Sequence, residues 1–182
     1  MKKFIIFIAL AIVAFAVSCQ KDPIEKTATV DLAGQWYIIY NCVDANGDIV
    51  PGFEDFNGGY SMAITFNTAS NTTDSIFVSD LDNLLGFQVK VACDVANLTF
   101  GSTNEEANIM TDGTGIKKGY IDSTAVIKNG KIMLGAATTP SGMPADSIYF
   151  EVSLGSDAMA AYYGYDHYQA VGYRYTGLAN DD

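Results

Sequence analysis

Beyond residue 32, apolar and polar positions alternate with a period of two, and no stretch there carries the period of a long amphipathic helix. Tyr60, Met62, Ile64 and Phe66 alternate with Ser61, Ala63, Thr65 and Asn67. Phe87, Val89, Val91 and Cys93 alternate with Gln88, Lys90, Ala92 and Asp94. Ile148, Phe150, Val152 and Leu154 alternate with Ser147, Tyr149, Glu151 and Ser153. Successive strand side chains point to opposite faces, so the pattern predicts half-buried strands with one apolar face inward. That is the antiparallel pattern; parallel strands are covered on both faces and read as unbroken apolar runs. The first convincing strand is 34–43, and weaker signals cover 75–79, 98–100, 120–127, 131–134 and 169–175.

Turn chemistry punctuates these strands. Asp44-Ala45-Asn46-Gly47-Asp48 is expected to join the first strand to its partner, and Asn129-Gly130 to make a two-residue hairpin, since Asn and Gly both tolerate positive φ. Residues 81–85 or 157–163 are expected to form a short helix at most. Many short strands with regular turns predict an all-β domain, a sandwich or a barrel.

Three segments follow from the pattern. Lys2 and Lys3 precede an apolar run from Phe4 to Val17, short for a membrane span, which ends in Ala16-Val17-Ser18-Cys19. This resembles the processing site of bacterial lipoproteins and implies residues 1–18 as a signal peptide and Cys19 as the lipidated first residue. Acyl chains there, at about 0.8 kcal/mol per buried methylene, make a stable membrane anchor. Gln20-Lys21-Asp22 lacks an Asp directly after the Cys and resembles the export signal of surface lipoproteins of the Bacteroidetes. The implied location is the outer membrane, with surface exposure. Residues 19–31 are polar, contain Pro23 and read as a flexible tether; 32–182 is the folded domain.

Charge narrows the function. The formal net charge is −11, and loss of Lys2 and Lys3 makes it more negative. Phosphate contacts need basic surface, so nucleic acid is not an expected partner. Cys42 and Cys93 remain beside Cys19; an oxidising envelope permits a disulfide between them, and two buried thiols fit the pattern equally. No cysteine–histidine cluster indicates a metal site, and no motif calls for a cofactor. Asp74-Ser75-Ile76 and Asp146-Ser147-Ile148 echo one another, with Asp122-Ser123-Thr124 similar. They read as turn chemistry at strand starts, or by resemblance as O-glycosylation acceptors of Bacteroidetes envelope proteins at Ser75, Ser123 and Ser147.

Gly34-Gln35-Trp36, with the only Trp, resembles the Gly-x-Trp signature of lipocalin-like barrels. The stretches 135–151 and 172–177 resemble the family called lipid-binding putative hydrolases, lipocalin-like lipoproteins of the Bacteroidetes. The departures are Tyr175, where a second Arg is expected, and Leu178, where an aromatic is commoner. The resemblance implies an antiparallel lipocalin-like β-barrel of about eight strands. It also implies a structural signature of Gly34, Trp36 and Arg174, with Arg174 packed over the indole at the closed end. Tyr40 and Cys42 would share the inward face of Trp36.

Candidate chemistry is sparse. No Gly-x-Ser-x-Gly elbow is present, so a hydrolase must use His167, the one His, in an aromatic loop-like stretch beside Asp166. Adjacent side chains on extended backbone point apart, which favours an exposed loop His and no catalytic residue. The 44–48 turn lacks the spacing of a calcium loop, and Gly113-Thr114-Gly115 lacks the Lys of a phosphate loop. Tyr149, Tyr162, Tyr163, Tyr165, Tyr168, Tyr173 and Tyr175 crowd the last third and serve either as barrel wall or as a platform for glycans. The expected function is a lipid-anchored envelope protein binding a small apolar or amphipathic ligand inside the barrel. The expected pocket is Tyr40, Met62, Ile64, Phe66, Val89, Val91, Phe150 and Val152. A hydrolase of lipid-like esters and a glycan-binding or structural surface lipoprotein are the alternatives.

Overall fold

The structure, a computed structural model, describes residues 26–110 and 123–181. The leader, Cys19 and the start of the tether lie outside the described residues, as do Tyr120 to Asp122 of one expected strand.

Nine strands form one antiparallel sheet. They are β1 (Gly34–Val43), β2 (Ser61–Asn67), β3 (Ser75–Ser79), β4 (Gln88–Asp94), β5 (Thr99–Gly101), β6 (Glu106–Ala107), β7 (Thr124–Thr138), β8 (Pro144–Leu154) and β9 (His167–Arg174), with one helix, α1 (Ala158–Tyr163). Their order is β5-β4-β3-β2-β1-β9-β8-β7-β6, and β5 also pairs with β7. That pairing closes an eight-stranded barrel; the two-residue β6 lies beside it on β7. Closure removes the sheet edges that would invite pairing with other chains.

β1 behaves as its pattern demands. Trp36, Ile38, Tyr40 and Cys42 are buried inside, whereas Tyr37, Ile39 and Asn41 are half-buried on the outer face. β4 and β8 likewise send Val89, Val91, Phe150 and Val152 inward. β2 runs in the opposite phase to the expectation. Ala63 and Thr65 are buried, and Met62, Ile64 and Phe66 lie half-buried on the outside. The cause is Trp36, which is the register partner of Ala63 and donates its indole N–H to Thr65. Only small side chains fit opposite an indole. The displaced apolar residues pack outside instead, Phe66 stacking on Phe77 at 5.1 Å.

Asn129-Gly130 is a bulge rather than a hairpin. β7 pairs with β8 on both sides of it, Lys128 with Glu151 and Lys131 with Tyr149, so two β7 residues oppose one β8 residue. Asn129 has φ of 52°, the left-handed conformation its short polar side chain tolerates. Gly130 lies against β5, where any Cβ would collide with the ring of Phe100. The bulge thus stands where β5 closes the barrel.

The 44–48 turn leads only to a single bridge between Val43 and Ile49; β2 begins after a longer loop. Residues 81–85 form a turn around the buried Asp80 carboxylate, which accepts the N–H groups of Asp82, Leu84, Leu85, Gly86 and Phe87. The helix is α1, which starts on Asp157, whose carboxylate accepts the N–H groups of Met159 and Ala160. Thr29, placed in the tether by the sequence reading, is buried with Leu32 in a turn against the barrel.

Candidate functional site

The Trp36 end of the barrel is closed by a linked set of contacts. The Arg174 guanidinium carbon lies 4.3 Å from the indole centroid. Arg174 Nη1–H donates to the carbonyl of Ala33, and Nε–H to Asp146 Oδ2, both at 2.9 Å. The indole N–H donates to Thr65 Oγ1 at 2.9 Å, and that hydroxyl donates to the carbonyl of Leu32 at 2.6 Å. A Cβ on Gly34 would collide with the guanidinium, which explains the glycine. Gly34, Trp36 and Arg174 join the first and last strands and expose no reactive group.

The opposite end is capped by aromatic rings. The 44–60 loop folds back so that Phe53 and Phe56 bond to β1 through backbone, Cys42 N–H to Phe53 O and Phe56 N–H to Tyr40 O. Phe53 meets Tyr163 of α1 at 5.0 Å between centroids, and Phe56 meets Tyr168 at 5.8 Å. The Tyr165 and Tyr168 hydroxyls lie 2.6 Å apart. Burial, with the nearby Asp157 charge, pushes the Tyr165 phenol up to about 12 and the Cys42 thiol up to about 11; burial also raises Tyr168. These groups are neutral at neutral pH. Cys42 is a buried free thiol and Cys93 a half-buried one.

Between the two caps the interior is filled by its own side chains. Tyr40, Val89, Val91, Phe150 and Val152 of the expected pocket are all buried there, packed with Ile38, Ile76, Val78, Phe87 and Ile127. Phe150 lies between Phe87 and Phe100, with centroids at 6.4 and 6.2 Å. Among the described residues the fully buried Tyr40 hydroxyl has no hydrogen-bond partner, and burial, then the Asp80 charge, raises its pKa well above the ordinary phenol value.

His167 is not an exposed loop residue. It opens β9, pairs with Val43, and its side chain is 16% exposed. Its Nδ1 lies 3.1 Å from Asp166 Oδ2, so the two neighbours do meet despite the extended backbone. The recess there holds about 80 Å³, lined by Val126, Lys128, Glu151 and Ser153 besides the pair. Among the described residues the ring's hydrogen-bond partner is Asp166, with no serine hydroxyl on it.

An open groove lies on the barrel wall. It holds about 810 Å³ and crosses β4, β5, β7 and β8. Phe100, Gly130 and Ala92 line it, and so do Asp94, Thr99, Asn129, Lys131, Tyr149 and Glu151. Lys131 Nζ sits 5.4 Å from the Tyr149 ring centroid. Tyr149 O–H donates to Glu151 Oε1 at 2.7 Å, and Asn129 Nδ2–H to Oε2 at 2.8 Å. Partial burial opposes the Glu151 charge, but these two hydrogen bonds and the nearby His167 and Lys128 hold its pKa below the usual carboxylate value. Burial, then the Glu151 hydrogen bond, raises the Tyr149 phenol. No sequence signal pointed to this groove, because its rim meets only through the bulge and the β5–β7 closure.

The remaining expected features scatter. Tyr37, Tyr60, Tyr173 and Tyr175 cluster outside, but Tyr37–Tyr173, Tyr37–Tyr175 and Tyr60–Tyr173 meet edge to face, at 87°, 64° and 70°. Rings that pack edge to face cover one another and offer no flat platform to a sugar. Ser75 is buried, and the Ser147 hydroxyl donates to Gly172 O, whereas Ser123 is exposed. Among the described residues no group of three His, Cys, Asp or Glu is placed to hold a metal.

No curated protein matches the chain. A family described as "lipid-binding putative hydrolase" matches residues 21–179. With that match over nearly the whole chain, on a closed barrel whose Gly34-x-Trp36 meets Arg174, the protein belongs to the lipid-binding putative hydrolase family.

Proposed function

We propose that this protein is a lipid-anchored component of the cell envelope that binds a small, lipid-like amphipathic ligand at its barrel. The observation that carries the reading is an open groove that reaches the apolar interior at the ring of Phe100, which lines the groove and packs in the core. A ligand site needs an apolar surface with a few placed polar groups. The interior supplies the first, and Asn129, Lys131, Tyr149 and Glu151 supply the second. The family's description as lipid-binding supports the same class of ligand. The packed interior counts against a standing cavity inside the barrel and favours the structural alternative there, so the proposed ligand surface is the groove.

Lys2, Lys3 and the apolar run before Cys19 support anchoring through a lipidated Cys19. Gln20-Lys21-Asp22 supports an outer-membrane, surface-exposed position. Hydrolysis has weaker support: His167 with Asp166 forms a base–carboxylate pair, but in a recess of about 80 Å³.

The test is mass spectrometry of small molecules that co-purify with the unlipidated domain. A lipid or acyl compound at a fixed ratio to protein is expected. Repeated recovery of ligand-free protein, unaltered in stability by added amphiphiles, would rule the reading out. For the anchor, Cys19→Ser is expected to move the protein from the membrane fraction to the soluble one.

A further inference from the structure

We propose that the groove over β4, β5, β7 and β8 is the binding site of a single-chain amphiphile whose head carries no net negative charge. Its chain enters the barrel where the ring of Phe100 now lies. This rests on the reading of the protein as a binder of lipid-like molecules.

The closing seam of the barrel runs here. β5 has three residues, and its register pairs with β7 are Thr99–Lys131 and Phe100–Gly130, flanked by hydrogen bonds from Ile132 N–H to Leu98 O and from Ser102 N–H to Ile127 O. Among the groove-lining residues, Phe100 is the one that is also a buried member of the core, at 5% exposure. Its neighbour across the seam, Gly130, has no side chain, so the ring alone covers that piece of wall. Behind it stands Phe150 and then Phe87. Rings in such a row are held by dispersion and the exclusion of water, and a hydrocarbon chain replaces those contacts in kind. The groove's 810 Å³ or so is of the size that takes a drug-sized or short-chain ligand.

The rim selects the head. Asp94 and Glu151 set two carboxylates against the single ammonium of Lys131, which already lies over Tyr149. Glu151 is held by Asn129 and Tyr149, whose hydrogen bonds favour its ionised form, and a carboxylate with one bond to each oxygen keeps further acceptor capacity. An anionic head is repelled here. Hydroxyls of an uncharged head donate to the carboxylates, and a zwitterionic head can place its cationic group on them. Asp94 is exposed and Glu151 is half-buried on the outer face, and Asn and Gln keep an acceptor oxygen at each, so the rim charge can be removed without changing a core residue.

The test uses the chain from Gln20 onward, which keeps every strand and both end caps described above. The probes are monododecanoyl glycerol, dodecylphosphocholine and dodecanoate, each below its micellar concentration, followed by amide chemical shifts. Expected are shifts at 92–94, 99–101 and 129–131, with dodecanoate roughly tenfold weaker than the other two, the scale of one net like charge at a partly screened surface. Asp94→Asn with Glu151→Gln is expected to close that gap. Phe100→Leu is expected to speed both association and dissociation; if it does not fold, the rim variant still decides. Shifts confined to Phe53, Phe56 and Tyr165 would put the ligand at the capped end and overturn the groove while lipid binding stands. Equal affinity for dodecanoate, unchanged in the rim variant, would overturn the head selectivity. No binding of any probe would overturn this site and the lipid reading together.

Discussion

Arg174 places its guanidinium carbon 4.3 Å from the indole centroid of Trp36, while two of its nitrogens bond to Ala33 O and Asp146. One side chain therefore holds the start of β1, the end of β9 and the start of β8. Arg174→Ala removes a cation–π contact of about 0.5–2 kcal/mol and leaves the Ala33 carbonyl without that donor. The expected result is a lower denaturant midpoint with an unchanged slope. Arg174→Lys should recover only part of the loss, because an ammonium lacks the fork that serves both acceptors. Groove binding should survive both changes.

The bulge gives a second prediction. Gly130→Ala puts a methyl into the Phe100 ring and should cost about 1–3 kcal/mol as overpacking. Asn129→Val forces a β-branched residue to positive φ and should cost about 1–2 kcal/mol. Asn129→Gly should be nearly neutral for the backbone, losing only the hydrogen bond to Glu151. Amide hydrogen exchange should quicken in β5 first in the two costly variants. Uniform protection of β5 in Gly130→Ala would show that β5 does not depend on this contact.

Tyr40 reverses the usual direction. Its hydroxyl is buried with no partner among the described residues, and an unpaired buried polar group costs about 1–3 kcal/mol. Tyr40→Phe keeps the ring and should raise stability by about 1 kcal/mol, read from chemical denaturation. A clear loss of stability would instead identify a bound water or other partner on that oxygen.

Acid stability should depend on Asp181. Hydrogen bonds from the Thr176 hydroxyl and the Ser141 N–H pull its pKa down to about 2, although partial desolvation opposes them. A carboxyl titrates near 3.9 in the unfolded chain, so the folded state prefers the ionised form. That contribution is whole above the unfolded value and disappears as pH falls through about 2. Melting temperatures of the parent and Asp181→Asn should therefore differ at pH 6 or so and converge near the folded pKa, about 2.

Where one residue's role is set by its own neighbours, the sequence was a good guide. Trp36, Tyr40 and Cys42 follow from the alternation of one strand, and the alternations around Val89 and Phe150 place those residues inside. The Gly34–Trp36–Arg174 group carried a family resemblance because its three residue types are each sterically required. Met62, Ile64 and Phe66 misled because the phase of β2 is decided across the ladder, where the indole takes the small Ala63 and Thr65 opposite it. Asn129-Gly130 misled for a similar reason: positive φ serves a hairpin or a bulge alike, and the choice rests on whether β8 continues past it. The groove was illegible because its lining comes from four strands joined by that same closure.

The Arg174–Ala33 hydrogen bond has a mechanical meaning for a chain held by its N-terminus. Drag on a body tethered through Cys19 would reach the fold at the turn before β1. There the pull meets an arginine rooted in the last strand, and β1 pairs with β2 over Gly34–Ile38 and with β9 over Trp36–Val43. Force along β1 loads both ladders in shear, many bonds at once, instead of peeling them one by one. Under the proposed anchor at Cys19, the clamp would stand where a leash would tug.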